Sequence, residues 1–152
     1  MKTALFALIL ASFTGAAFAQ ETAICFERKY SAEHLRQNPK QQVKTIRVTL
    51  TQEDNLYNSI EIETRKPIKG HTKFSSGGGC RIATGALHCG FDADGGNFLF
   101  DDQGKQAFLK VSSALFLYHT ENSTEDESEG RDLILSPGAA NGVYRLNSVP
   151  CN

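Results

Sequence analysis

The chain contains no Trp, and its one Met is the first residue, so a core has to be assembled from Leu, Ile, Val and Phe. No charge of one sign dominates: 16 Lys and Arg stand against 17 Asp and Glu. That balance excludes a generic polyanion binder, and nucleic acid is not an expected partner. No internal run is apolar over the roughly 20 residues a membrane-spanning helix needs, so no membrane span is expected. C-x2-C and H-x3-H spacings are missing, which removes the usual patterns of structural zinc. A G-x-S-x-G elbow is missing too, and the Gly-rich stretches lack the Lys and the strand-to-helix setting of a phosphate loop. With no nucleophile and base, no paired acids and no ligand set standing out, the sequence predicts a protein that is not an enzyme and carries neither metal nor cofactor.

What is present begins with residues 1–19, MKTALFALILASFTGAAFA. Lys2 gives a positive start, Ala4 to Phe13 an apolar stretch, and Ala17-Phe18-Ala19 a small-x-small cleavage site, the order of a secretory signal peptide. Removal would leave Gln20 to Asn152 as a single domain, periplasmic or secreted. All four cysteines lie in that body, and an even count in an exported chain reads as two disulfides. Three pairings are possible. Cys80 with Cys89 is preferred, because Thr84-Gly85-Ala86 between them can fold two short strands back on each other. Cys25 with Cys151 then staples the two ends of the body, a long loop whose closure stabilises a small domain.

Ser31-Ala32-Glu33-His34 offers an N-cap and an acid in the first turn, and Asn38-Pro39 a stop, which predicts one short helix. Afterwards the period becomes two. Ile46, Val48 and Leu50 alternate with Thr45, Arg47 and Thr49, and Ile60 and Ile62 with Ser59, Glu61 and Glu63. Further strands are expected at 71–75, 80–84, 86–91, 97–101, 106–112, 114–120, 132–136 and 142–149, separated by GGG, DADGG, DDQGK and SPGAANG. The fold expected is all-β: a small antiparallel barrel, up-and-down and calycin-like, or a β-sandwich, with one short N-terminal helix and disulfide staples. The barrel is favoured, since pairing the first strand with the last brings Cys25 near Cys151.

Charge is unevenly spread. From Gln20 to Gly90 there are 11 basic against 7 acidic residues, and from Phe91 to Asn152 4 against 10. Much of the acid lies in the tract from Glu121 to Asp132, read as a polar loop. Asn122-Ser123-Thr124 matches a glycosylation acceptor. Ser75-Ser76-Gly77-Gly78-Gly79 reads as a turn. Asp92 and Asp94 sit before Gly95 like the opening of a calcium loop, but position twelve is Gln103, and Asp-Gly-Gly is ordinary hairpin material. His34, His71, His88 and His119 are scattered, although two could meet in space.

The most distinctive stretch runs from Cys25 to Val43. Arg28, Tyr30, His34 and Gln41 are the candidate binding residues, a polar recognition patch beside a barrel mouth. The competing reading is a helical plug tied down by Cys25, with Phe26 and Leu35 packed into the barrel end. This C-F-x-R-x-Y…H-L…P-x-Q-x-V run, with a later cysteine pair before an Asp-Gly-Gly turn and a cysteine at the end, resembles small exported alphaproteobacterial proteins without assigned activity. The resemblance implies a periplasmic setting and transfers no site residue. In size, export and disulfides the chain is also similar to small periplasmic lysozyme inhibitors.

Two functions follow as expectations. The first is a non-enzymatic periplasmic binding or envelope-associated module, contacting either a periplasmic protein or a small apolar ligand held inside the barrel. The second is an inhibitor of an exported hydrolase such as a lysozyme, steered by the acidic loop. The interior decides between partner types: if Ile46, Val48, Leu50, Ile60, Ile62, Phe98 and Phe100 fill it, no ligand-sized space remains.

Overall fold

A computed structural model describes residues 22–52, 55–91, 94–120, 131–137 and 142–151. Its strands are β1 (Thr22–Lys29), β2 (Val43–Gln52), β3 (Leu56–Ile68), β4 (His71–Ala83), β5 (Ala86–Gly90), β6 (Asn97–Asp102), β7 (Gln106–Val111), β8 (Leu115–His119), β9 (Arg131–Leu135) and β10 (Val143–Val149), with one helix, α1 (Ala32–Gln37). Strands β1 to β7 pair in chain order, β7 pairs β10, and β10 returns to β1. This closes an eight-stranded antiparallel barrel. The seam is the antiparallel pair of β1 and β10, with Cys25 opposite Val149.

The wall runs up and down in chain order, with β8 and β9 inserted between β7 and β10 as a separate hairpin outside it. β8 attaches to β4 through Phe74 opposite His119 and Ser75 opposite Tyr118. Two-residue turns join β3 to β4 and β4 to β5, with Lys69 and Gly70 at φ 48° and 90° and Thr84 and Gly85 at φ 52° and 82°. Positive φ at both positions is what gives such hairpins the right-handed twist of their strands.

The expected turn at Gly77–Gly79 is not there. These glycines lie inside β4, where Gly77, Gly78 and Gly79 pair with Ser59, Asn58 and Tyr57 of β3. The reason is a close approach that sequence spacing does not reveal. A Cβ on Gly78 would stand 2.2 Å from the Gly90 carbonyl oxygen and 2.9 Å from Phe91 Cα. Here β4 changes neighbours: beside Phe74 and Ser75 it has β8, and from Cys80 onward it has β5. Asn58 Nδ2 clamps the crossing by donating to the carbonyls of Gly78 (2.8 Å) and Gly90 (3.3 Å).

Both disulfides join the preferred pairs, Cys25 with Cys151 and Cys80 with Cys89. The barrel interior is filled. Ile46, Val48, Ile60 and Phe100 are fully buried, Phe98, Ile62 and Leu50 are no more than 4% exposed, and all belong to one packed cluster with Phe26, Leu109, Leu115, Leu117 and Leu146. A water-sized void against these side chains would expose them, so the interior is solid where an apolar ligand would have to sit. Among the described residues no helix is long and apolar enough to cross a membrane.

Candidate functional site: the helical end of the barrel

The segment from Cys25 to Val43 divides between two elements. Cys25 to Lys29 is part of β1, a wall strand, and Ala32–Gln37 is helical, the one short helix the sequence predicts. Ser31 Oγ accepts from the His34 amide at 3.1 Å, the N-cap the sequence offers. Asn38 closes the other end, its amide nitrogen and its side chain both donating to the His34 carbonyl. Leu35 is buried beneath this single turn and a half.

The connection from β1 to β2 through α1 and the turn from β3 to β4 meet at the same end of the barrel. Arg65 holds them together: its Nη1 donates to the Leu35 carbonyl at 2.7 Å and its amide to Gln42 at 2.7 Å. Tyr30 donates its amide to Lys44 at 3.0 Å, continuing the β1–β2 ladder past the strand.

Around Tyr30 the four candidate residues converge. Arg28 Cζ lies 5.2 Å from the Tyr30 ring centre, a cation–π contact, and His34 stacks on Tyr30 at 4.9 Å and 26°. Burial raises the Tyr30 hydroxyl above its ordinary pKa, while the Arg28 charge and hydrogen bonds with Gln41 and Arg28 oppose the rise. Gln41 also donates to the Val43 carbonyl at 3.2 Å. Behind the cluster Tyr144 is almost wholly buried, and its hydroxyl has no hydrogen-bond partner among the described residues. Burial, and then the nearby Tyr30, push its pKa well up.

Sequence reasoning did not find the rim of cations that surrounds this cluster. Segments 28–44 and 62–74, which build this end, contain nine basic residues and two carboxylates, Glu33 and Glu63. Lys29, Arg36, Lys40, Arg65, Lys66, Lys69 and Lys73 are exposed. Among the described residues two of the nine are in ion pairs. Lys44 Nζ lies 2.6 Å from Glu63, whose carboxyl is held below its ordinary pKa first by that hydrogen bond, with the Lys44 and Lys73 charges adding to it against desolvation. Lys69 pairs with Asp132, which is buried at the start of β9. Asp132 therefore does not extend the acidic tract as an open surface. The rest of that tract, residues 121–130, lies outside the described residues, with Asn122 of the glycosylation motif in it. The uneven charge along the chain was the available signal; only the fold shows that it collects at one end.

Other expectations are placed elsewhere. His71 and His119 do meet, stacked at 3.9 Å and 13° where β8 joins β4. His88 lies on the outer wall, away from both. Asp92 falls outside the described residues, and Asp94 is exposed in the β5–β6 turn. Among the described residues no group of three or more His, Cys, Asp or Glu is disposed to hold a metal.

No family model matches the chain, and no curated protein or solved structure does either.

Proposed function

We propose that the protein is a non-enzymatic, exported binding module of the cell envelope whose helical end docks on phosphate-bearing lipid headgroups. The observation that carries this reading is the excess of cations at that end: nine on its two segments against Glu33, Glu63 and, from β9, Asp132, with Lys44 and Lys69 ion-paired. Juxtaposed basic side chains near an anionic membrane each contribute about 1 kcal/mol of attraction, so even a few exposed ones produce usable affinity. The filled interior supports a surface mode of binding, and two disulfides suit an oxidising compartment. Arg28, Tyr30 and His34 form the centre of the face, with Tyr30 packed on the core as the platform that holds Arg28 and His34.

Flotation with vesicles tests the proposal. Binding is expected to vesicles containing phosphatidylglycerol, to weaken as salt rises, and to be lost from vesicles of phosphatidylcholine alone. Changing Lys29, Arg36, Lys40 and Lys66 together to Gln should abolish it in a protein that still unfolds cooperatively. Equal binding to both lipids, or binding unaffected by the four substitutions, overturns the reading.

The inhibitor reading rests on one different observation. The β4–β5 hairpin is braced at its base by Cys80–Cys89 and carries Ile82, 81% exposed, near its tip. A rigid hairpin bearing an exposed aliphatic side chain can anchor in an enzyme cleft. Inhibition of a lysozyme by the intact protein, lost in Ile82→Asp, would support it, and unaltered enzyme activity at saturating protein would exclude that target.

A further inference from the structure

On the outer wall, away from the helical end, β4, β5 and β6 enclose an open trough of about 640 Å³ beside the Cys80–Cys89 bond. We infer that this trough is a binding site for an acidic oligosaccharide, its carboxylate taken by Arg81 and its hydroxyls by His88, Asn97 and Ser112.

Register explains how these side chains come together. Arg81 lies opposite His88, and His88 opposite Leu99, so the three form one outward row across β4, β5 and β6. Asn97 lies opposite Gly90, and the Ser112 amide donates to the Asn97 carbonyl at 3.0 Å, which brings their side chains to the other margin. The trough exists between these rows because Gly79 and Gly90 present no side chain to it.

Gly79 differs from its neighbour Gly78 in a telling way. A Cβ on Gly79 would meet nothing within 4 Å, and its backbone is not in the left-handed region. Neither sterics nor conformation calls for glycine there, and glycine weakens a strand interior. What its absence of side chain does is keep the trough open.

The chemistry narrows the ligand. β5 and β6 each have a neighbour on both sides and β4 has one up to Gly79, so most of the floor's amides and carbonyls are engaged in ladders rather than open to a ligand. Recognition falls to side chains: one guanidinium, one imidazole, one amide and one hydroxyl around the half-buried Leu99. A guanidinium matches a carboxylate in a planar, two-bond geometry, the amide and hydroxyl each both donate and accept, and Leu99 offers an apolar surface to a sugar ring's C–H face. The volume is that of an ordinary ligand cleft.

An amide-resolved NMR titration tests this with trigalacturonate as the acidic probe and maltotriose as the neutral one. Trigalacturonate is expected to shift the amides of Gly79, Arg81, His88 and Asn97, with maltotriose weaker by about tenfold or more. Arg81→Gln should reduce trigalacturonate to the level of maltotriose. Gly79→Val should fold, fill the trough and lose both. Three results each overturn the inference: no shifts at millimolar trigalacturonate, wild-type binding by Gly79→Val, or shifts confined to residues 28–44. The last would assign the carboxylates to the cationic end instead, leaving the headgroup proposal standing while the trough falls.

Discussion

The two ends of the barrel are held together by different means. At the helical end the chain is secured by hydrogen bonds and stacking: Arg65 to Leu35 and Gln42, Asn38 to His34, Arg28 and His34 against Tyr30. The opposite end carries the β2–β3, β4–β5 and β6–β7 turns and both disulfides, and it leaves Ile24, Tyr57 and Ile82 exposed. Each cross-link includes a buried cysteine, since Cys25 and Cys89 are no more than 2% exposed. A small domain with a limited core gains from such bonds through what they remove from the unfolded chain, the more so the longer the loop closed. The helical end is held without them and presents the cationic residues.

The sharpest way to break the contrast is to remove the cross-links. Replacing Cys25 and Cys151 by Ser releases a loop of 126 residues, for which the chain-entropy relation gives about 5 kcal/mol. Urea unfolding should show a loss of that order, while a loss below about 1 kcal/mol would mean the seam holds unaided. The Cys80–Cys89 bond, with a separation of 9, should cost only about 2.5 kcal/mol by the same relation.

A comparison of two adjacent glycines comes next in size. Gly78→Val drives a side chain into the Gly90 backbone, where nothing flexible can yield, and should cost about 3 kcal/mol or more. Gly79→Val should be neutral or raise stability by roughly 0.5–1 kcal/mol, because a β-branched residue replaces glycine in an open strand position. Equal effects at the two sites would contradict the placement of β4 against Gly90 and Phe91.

At the helical end pH supplies the smaller tests. Tyr30 and Tyr144 both have raised pKa values in the folded state. Their stabilising effect is complete below the ordinary Tyr value near 10 and is lost as pH rises beyond it, because the unfolded chain ionises first. Tyr144→Phe should flatten this alkaline limb, and should be neutral or slightly stabilising at pH 7, since it removes a buried hydroxyl without a partner. Glu63 is lowered by Lys44. Its contribution is present above the ordinary carboxylate value and disappears as pH falls through the lower folded one. Glu63 is 33% and Lys44 44% exposed, so Lys44→Gln should remove less than about 1 kcal/mol at neutral pH and nothing in acid, where Glu63 is protonated.

Much of this architecture was readable from residues. The alternation at Ile46, Val48, Leu50, Ile60 and Ile62 gave β2 and β3 because each strand has one dry and one wet face. Thr84-Gly85 gave a hairpin and hence the Cys80–Cys89 pair. The helix was readable from Ser31 and Asn38-Pro39, which act locally. Three features were not. β1 was hidden, since Cys25 to Lys29 mixes charges with Phe26 in no clean alternation. Gly77–Gly79 looked like a turn because glycine's use there is a contact with Gly90, remote in sequence. The β8–β9 hairpin looked like two more wall strands, as its inner residues Leu115, Leu117 and Leu135 are as buried as any in the barrel. Arg28, Tyr30, His34 and Gln41 were identified by type alone, and their clustering around one ring needed the return of the chain through α1.

The seam between β1 and β10 sets the order of events in folding. Every other junction in the wall except β7 to β10 joins strands consecutive in the chain, so hairpins can form early at small entropic cost. β1 and β10 are separated by more than a hundred residues, and β1 keeps an unpaired edge until β10 arrives. During that interval the half-built wall is open to pairing with another copy of itself. Oxidation of Cys25 with Cys151 then acts as a latch on the last step, converting a slow, reversible closure into a state whose reopening also requires a reductant.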